Sequence, residues 1–271
     1  MYSGSTLTTM SGRVMGAHQK IDRVARKHLE KLLEDNAIFP DSAEILHFEG
    51  KNGPDAIKRK SPAKDEPWHF FDPFDIKDSQ LVEAIGEHYK LLVKQLKDGN
   101  KERTAFEAAW LAHALVDGLT PAHHYPYEEK LTELRGEGVE TRTTIKDKLL
   151  LPGETARERM KNNFKMWGPK GLLTTHGLFE IGIASLIAPL SFTQIQPNQA
   201  DITAMQEAGL AQVFRNRAKE IASLDMYHRY YKRGWTTKLI VEVKQVLIPT
   251  IIQTVTLAWY NALIDAGKIE P

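Results

Sequence analysis

The stretch that decides the fold is Thr104-Ala-Phe-Glu-Ala-Ala-Trp-Leu-Ala-His-Ala-Leu-Val-Asp-Gly118. Phe106, Ala109, Trp110, His113 and Asp117 fall on one stripe at helical spacing, apolar at one end and ionisable at the other. The same period governs the chain on either side, and no convincing alternating strand pattern interrupts it. Ile21, Ala25, Leu29 and Leu32 predict a helix from His18 to near Asp35-Asn36. Asp78-Ser79 precede another, carrying Leu81, Ile85, Tyr89, Leu92 and Leu96 and stopped at Gly99-Asn100. Further helices are expected over 154–165, 172–187, 202–224 and 236–263. The expected fold is all-α, a multi-helix bundle in a single domain spanning 17–271 behind a flexible lead-in, 1–16.

Two long stretches, Phe39 to Pro73 and Pro126 to Gly153, read as irregular, and 127–170 as an insertion. Irregular stretches of such length are uncommon inside a domain and are often functional.

A chain of 271 residues, 42% hydrophobic and 26% charged, has the composition of an ordinary globular protein. Its formal charge of +1 gives no global attraction to nucleic acid or an anionic membrane, which leaves only a local basic groove. With no cysteine, disulfide frameworks, thiolate metal sites and cysteine nucleophiles are excluded. Met1 to Gly16 lacks the apolar core of a secretory signal. The longest apolar run, Ile181 to Phe192, falls short of the roughly 20 residues that span a bilayer. As numbered the chain reads as cytoplasmic, and as secreted if a signal has been removed.

The chemistry gathers on His113 and Asp117, whose spacing puts both side chains on one helix face, a turn apart. Alone, such a pair is more often a hydrogen-bonded His–Asp couple than a metal site. It is not alone: Thr120-Pro121 ends the helix and His123-His124 follow, bringing an imidazole back to the same end. His176 and Glu180 repeat the spacing among apolar neighbours, where a buried carboxylate needs a partner. His69 lies among large apolar side chains in Trp68-His-Phe-Phe-Asp-Pro73, Asp55 in an Asn-Gly-Pro-Asp turn, and His18 on the inward stripe of the first helix. Eight such donors, nitrogen and oxygen without thiolate, suit more than one Zn²⁺.

In this order the motifs resemble the zinc-dependent phospholipase C and single-strand nuclease family. They are His18-Gln-Lys-Ile21, Pro54-Asp55, His69-Phe-Phe-Asp-Pro73, His113-x3-Asp117-x5-His123 and His176-x3-Glu180. The resemblance runs from about residue 16 to 182 and implies an all-α fold with a trinuclear zinc site. It implies that Asp55, His69, His113 and Asp117 hold one zinc and that His123, His176 and Glu180 hold a second. Asp117 would bridge to a third, shared with His18. In secreted members that third zinc is completed by the amine and carbonyl of an N-terminal tryptophan. Here no tryptophan precedes His18, so its completing ligand is not visible. His124 beside His123 leaves the choice of ligand between them open, the spacing favouring His123.

The implied reaction is hydrolysis of a phosphodiester by metal-bound hydroxide attacking phosphorus, with Asp55 and Asp117 orienting or deprotonating the water. Asp55 is the expected general base. A phospholipid substrate, with transient contact to a membrane surface, calls for an apolar approach such as Phe70, Phe71, Phe74 and the run after Glu180 would give. A nuclease or nucleotidase would stack bases on aromatic side chains, for which Tyr227 to Trp235 has the composition. The near-neutral charge favours the phospholipase. A helical protein with structural zinc and no turnover is the alternative of a different class.

Overall fold

The computed structural model describes residues 1–3, 16–35, 38–50 and 52–270. Its α-helices are α1 (Ala17–Glu30), α2 (Ser42–Glu49), α3 (Pro54–Ile57), α4 (Gln80–Asp98), α5 (Lys101–Gly118), α6 (Tyr127–Arg135) and α7 (Ile145–Leu149). They continue with α8 (Ala156–Trp167), α9 (Leu172–Ile187), α10 (Gln199–Ser223), α11 (Met226–Arg233), α12 (Thr237–Glu242) and α13 (Ile248–Asp265). Short 3₁₀ turns lie between some of them, and a π-helical turn, Val243–Leu247, joins α12 to α13. Among the described residues there is no strand, and the fold is all-α.

α4 and α5 form a tight hairpin because two residues do the turning. Gly99 caps α4 at φ 70°, a conformation a side chain would oppose, and the Asn100 side chain accepts a hydrogen bond from the Arg103 N–H at 3.1 Å. α5 then runs through the middle of the molecule. Ala105, Ala108, Ala109 and Ala112 are all buried, so α2, α4 and α13 pack closely on it. Trp259 of α13 is fully buried on this helix and donates its indole N–H to the Ala108 carbonyl at 3.1 Å. Burial of each large apolar side chain stabilises by about 1.5–3 kcal/mol. α1 lies against α13 with Ile21, Ala25 and Leu29 buried, as the stripe predicts.

The C-terminal end of α5 is clamped from two sides. A Cβ added at Gly118 would stand 2.5 Å from the Phe214 ring of α10 and 2.7 Å from Leu81 of α4. A smaller cluster, Tyr127, Leu131, Leu151 and Met166, seats α6 and α8 beside α9, with Leu172 and Leu173 packed on it. The stretch 237–265 is long and apolar enough to cross a membrane by length and composition, at mean hydropathy 1.4. In the fold Ile251, Val255 and Trp259 bury it as a core helix.

The two stretches expected to be irregular contain short helices, α2 and α3 in the first and α6 and α7 in the second. α2 opens with a capping box: Asp41 accepts from the N–H groups of Ala43 (2.7 Å) and Glu44 (2.9 Å), and Glu44 accepts from that of Asp41 (2.8 Å). Thr144 and Asp147 do the same for α7. Both helices are too short to show a stripe, which is why periodicity misses them while the caps are present in the sequence. The first helix ends at Glu30, before the expected Asp35-Asn36, and α11 is an addition. Of the expected lead-in, residues 4–15 lie outside the described residues. Met1 and Ser3 are buried, and the Ala17 N–H donates to the Tyr2 carbonyl at 2.7 Å.

Gly118→Ala should destabilise the protein by about 1–3 kcal/mol through overpacking. Urea unfolding measures it, and an unchanged midpoint would mean that Leu81 and Phe214 do not close on this helix end.

Candidate metal centre

Seven elements deliver donors to one buried volume. α1 brings His18, α3 brings Asp55 behind a proline at its first position, and the extended chain before α4 brings His69. α5 brings His113 and Asp117, the 3₁₀ turn Pro121–His124 brings His123, and α9 brings His176 and Glu180. The seventh is the start of the chain: the Met1 amine makes a short contact with Asp117 Oδ1 and lies 3.2 Å from Glu180 Oε1 and 3.5 Å from His123 Nε2.

Asp117 is the hub. His69 Nδ1 stands 2.7 Å from its Oδ2, His113 Nε2 3.1 Å from the same oxygen, His18 Nε2 3.1 Å from Oδ1 and His123 Nδ1 3.7 Å from Oδ1. His113 Nε2 also approaches Asp55 Oδ1 at 3.9 Å. On the far side, Glu180 Oε1 meets His123 Nε2 at 2.8 Å and His176 Nε2 at 3.2 Å. The rings of His18 and His113 stack at 4.1 Å, and those of His123 and His176 at 5.2 Å.

Three sets of these side chains place ligand atoms within 4.8 Å of one another, as one metal ion requires: His18, His113 and Asp117; Asp55, His69 and His113; His123, His176 and Glu180. The residues fit a metal on a second observation. Both ring nitrogens of His18 and the Nε2 atoms of His69 and His113 are buried without a hydrogen-bond partner, an expensive condition for a polar atom that a cation would relieve. The neighbouring histidines His123 and His124 face different partners. His123 hydrogen-bonds the His69 carbonyl through Nδ1 at 2.9 Å, leaving Nε2 toward Glu180, whereas His124 donates Nε2–H to the Gly118 carbonyl at 2.9 Å, outside the three sets.

The electrostatics are those of carboxylates kept charged despite burial. Burial opposes ionisation of Asp117, yet His123, the Met1 ammonium, His113 and His18 together hold it well below the usual carboxylate range. Burial likewise opposes Glu180, and the Met1 ammonium and His176 overcome it. Asp55 is depressed against its burial chiefly by Lys58, whose ammonium lies 2.6 Å from Oδ1, and then by His113. His69 is pushed down to about 3 by burial and by the same ammonium. His113 goes the other way: burial lowers it, but Glu49 and Asp117 raise it well above the usual imidazole value.

Three participants were missed by the sequence reading. Glu49, fully buried at the end of α2, lies 3.2 Å from His113 Nδ1 and 3.8 Å from His18 Nδ1, so it holds both rings with Nε2 toward Asp117. Lys58 stands one helical turn after Asp55. The Met1 amine stands against Asp117 and Glu180. Of the aromatic side chains expected near the metals, Phe70 lies 5.4 Å from the His123 ring and 6.3 Å from that of His176. Phe71 is instead core, against Phe214, and Phe74 sits exposed in a loop.

No family model matches the chain, and no curated protein matches it in sequence. Among solved structures it is similar to the alpha-toxin of Clostridium perfringens from avian strain SWCP, with a TM-score of 0.52 and 15% identity over 93% of this chain. It spans 64% of that chain's length. At this identity the likeness shows a shared fold.

Because His113 is proton-loaded at neutral pH and a ligating imidazole must be neutral, metal binding should release protons and weaken as pH falls. Calorimetric titration with Zn²⁺ at pH 7 in two buffers of different ionisation enthalpy reads this, and buffer-independent heats would contradict it.

Proposed function

We propose that the chain is a zinc-dependent phosphodiester hydrolase of phospholipase C type. The observation that carries the reading is the sharing of one carboxylate. Three donor sets converge on Asp117 or lie against it, close enough for several cations to act on one phosphate. Asp55, His69, His113 and Asp117 would hold one zinc, His123, His176 and Glu180 a second, and His18, Asp117 and the Met1 amine a third. Metal ions so placed clamp a phosphodiester, acidify a water and neutralise the leaving oxygen.

The chain's own groups divide the remaining work. Asp117 is engaged on both oxygens by imidazoles and the amine, so its role is to hold them. Asp55 has one neighbour that can leave, Lys58, whose side chain is 30% exposed. A phosphate entering the site draws that ammonium to its own oxygens. Asp55, freed of the cation that depresses it, becomes a better proton acceptor. Water oxygen would then bond to phosphorus as the ester P–O bond breaks, the water proton passing to the Asp55 carboxylate and the departing oxygen taking a proton from solvent to leave as the alcohol.

A phospholipid fits the surroundings better than a nucleic acid. Phe70 and Tyr127 stack at 5.4 Å and wall the His176 side, Tyr127 lying 5.2 Å and Tyr227 6.4 Å from that ring. Tyr127 and Tyr227 are nearly buried, and Trp235 stacks on Phe179 at 5.5 Å. Most of the aromatic stretch 227–235 is thus packing, and offers bases little open platform.

His113→Ala should reduce both metal content and hydrolysis of bis-nitrophenyl phosphate and nitrophenyl phosphorylcholine to background. Retained turnover with a full metal complement would overturn the proposal. Tight metal without turnover on these or on single-stranded DNA would assign a structural role, and turnover on DNA alone would assign a nuclease.

A further inference from the structure

α8 presents to solvent side chains that a helix in water ordinarily hides. Met160 is 71% exposed, Phe164 67% and Trp167 46%. Steps of four and three place them on one stripe. Met166 is the helix's only buried residue and points to the small cluster with Tyr127, Leu131 and Leu151. The exposed stripe is therefore no part of the packing that holds the helix in place. Arg157, Lys161 and Lys165, four residues apart, form a parallel stripe directly beside it. Trp167 is fixed in position, donating its indole N–H to the Leu149 carbonyl at 2.6 Å, and Leu149 and Leu150 extend the apolar surface.

Charge selects the occupant. In a chain of formal charge +1, α8 alone carries four exposed basic residues, Arg157, Arg159, Lys161 and Lys165, against the single acid Glu158. A second copy would bring the same positive surface and be repelled. A surface that accepts shallowly inserted apolar side chains while supplying negative charge to a bordering basic row is an anionic bilayer. The patch is also tied to the metal centre. Lys148 of α7 binds the carbonyls of Lys58 (2.7 Å) and Ser61 (2.5 Å) and the Glu66 carboxylate, so this region is braced on the chain that follows Asp55.

We infer that α8 is a docking helix that seats the protein on anionic phospholipid bilayers, with Met160, Phe164 and Trp167 inserted and Arg157, Lys161 and Lys165 on the headgroups. The inference deepens the phospholipase reading but is read by binding alone.

The test is co-sedimentation with vesicles of phosphatidylcholine and of phosphatidylcholine containing about one third phosphatidylserine, for the full chain and two variants. The chain should bind the anionic vesicles. Arg157→Glu/Lys161→Glu/Lys165→Glu should weaken binding by on the order of 100-fold, at about fivefold for each basic residue lost. Met160→Ser/Phe164→Ser/Trp167→Ser should weaken it at least about tenfold, with bis-nitrophenyl phosphate hydrolysis unchanged in both variants. Quenching of the chain's fluorescence by brominated lipid should shrink in Trp167→Phe. Equal binding by chain and variants, or no binding to either vesicle, would overturn the inference, as would a dimer in solution that the apolar variant dissolves. A chain that binds vesicles yet hydrolyses no ester would instead refute the catalytic reading and leave docking standing.

Discussion

Asp117 is a fully buried carboxylate at the C-terminal end of a helix, where the helix dipole is itself negative. A charge in that position survives only if it is surrounded, because an isolated buried carboxylate would take up a proton instead. Here imidazoles from α1, α5, the chain before α4 and the turn after α5 meet it, together with the Met1 amine. That one requirement orders much of the architecture. The start of the chain must return to the end of α5, the turn after α5 must be tight, and α9 must bring Glu180 to the other side of the amine.

The same arrangement explains why the fold is packed as it is around the hub. The alanine-rich face of α5 lets its neighbours approach closely, and Gly118 lets α4 and α10 close over the helix end. Glu49 extends the logic outward: it pairs with the far nitrogen of His113 at 3.2 Å and lies 3.8 Å from that of His18, with the near nitrogens directed inward. Directed donors with no proton partner are costly in the polypeptide alone, and a cation among them turns that cost into stability. A metal held there would therefore be coupled to the fold.

Much of this was legible in the sequence where the signal was local. The period of the long helices gives the all-α fold, and four-residue spacings bring His113 to Asp117 and His176 to Glu180. The limits were physical. α2 is too short for a stripe, so Glu49 read as part of a loop, although the Asp41-x-x-Glu44 box marked its start. Lys58 is one of many lysines in a charged segment, and only the fold puts its ammonium against Asp55. The Met1 amine meets Asp117 across 116 residues, a contact no spacing can announce. The expected lead-in was read from its Ser, Thr and Gly content, and composition says nothing of where a terminal charge goes.

The polar region after α5 shows what a burial argument adds to a pattern argument. Its sequence suggested an insertion and left its role open, and its residues divide cleanly by environment. Tyr127, Leu131, Leu151 and Met166 fasten it beside α9, and Lys148 fastens it to the chain next to Asp55. Those anchors account for the packing of α8 without its largest side chains. An exposed Phe and Trp on a helix already held by other residues contribute little to folding, and exposed apolar area of that kind marks contact with something else. On the proposed reading, a phosphate would have to reach the donor sets around Asp117. A face that carries apolar and cationic side chains in parallel rows, on a segment braced against the loop that holds Asp55 and Lys58, would then couple the position of a lipid surface to the position of that phosphate.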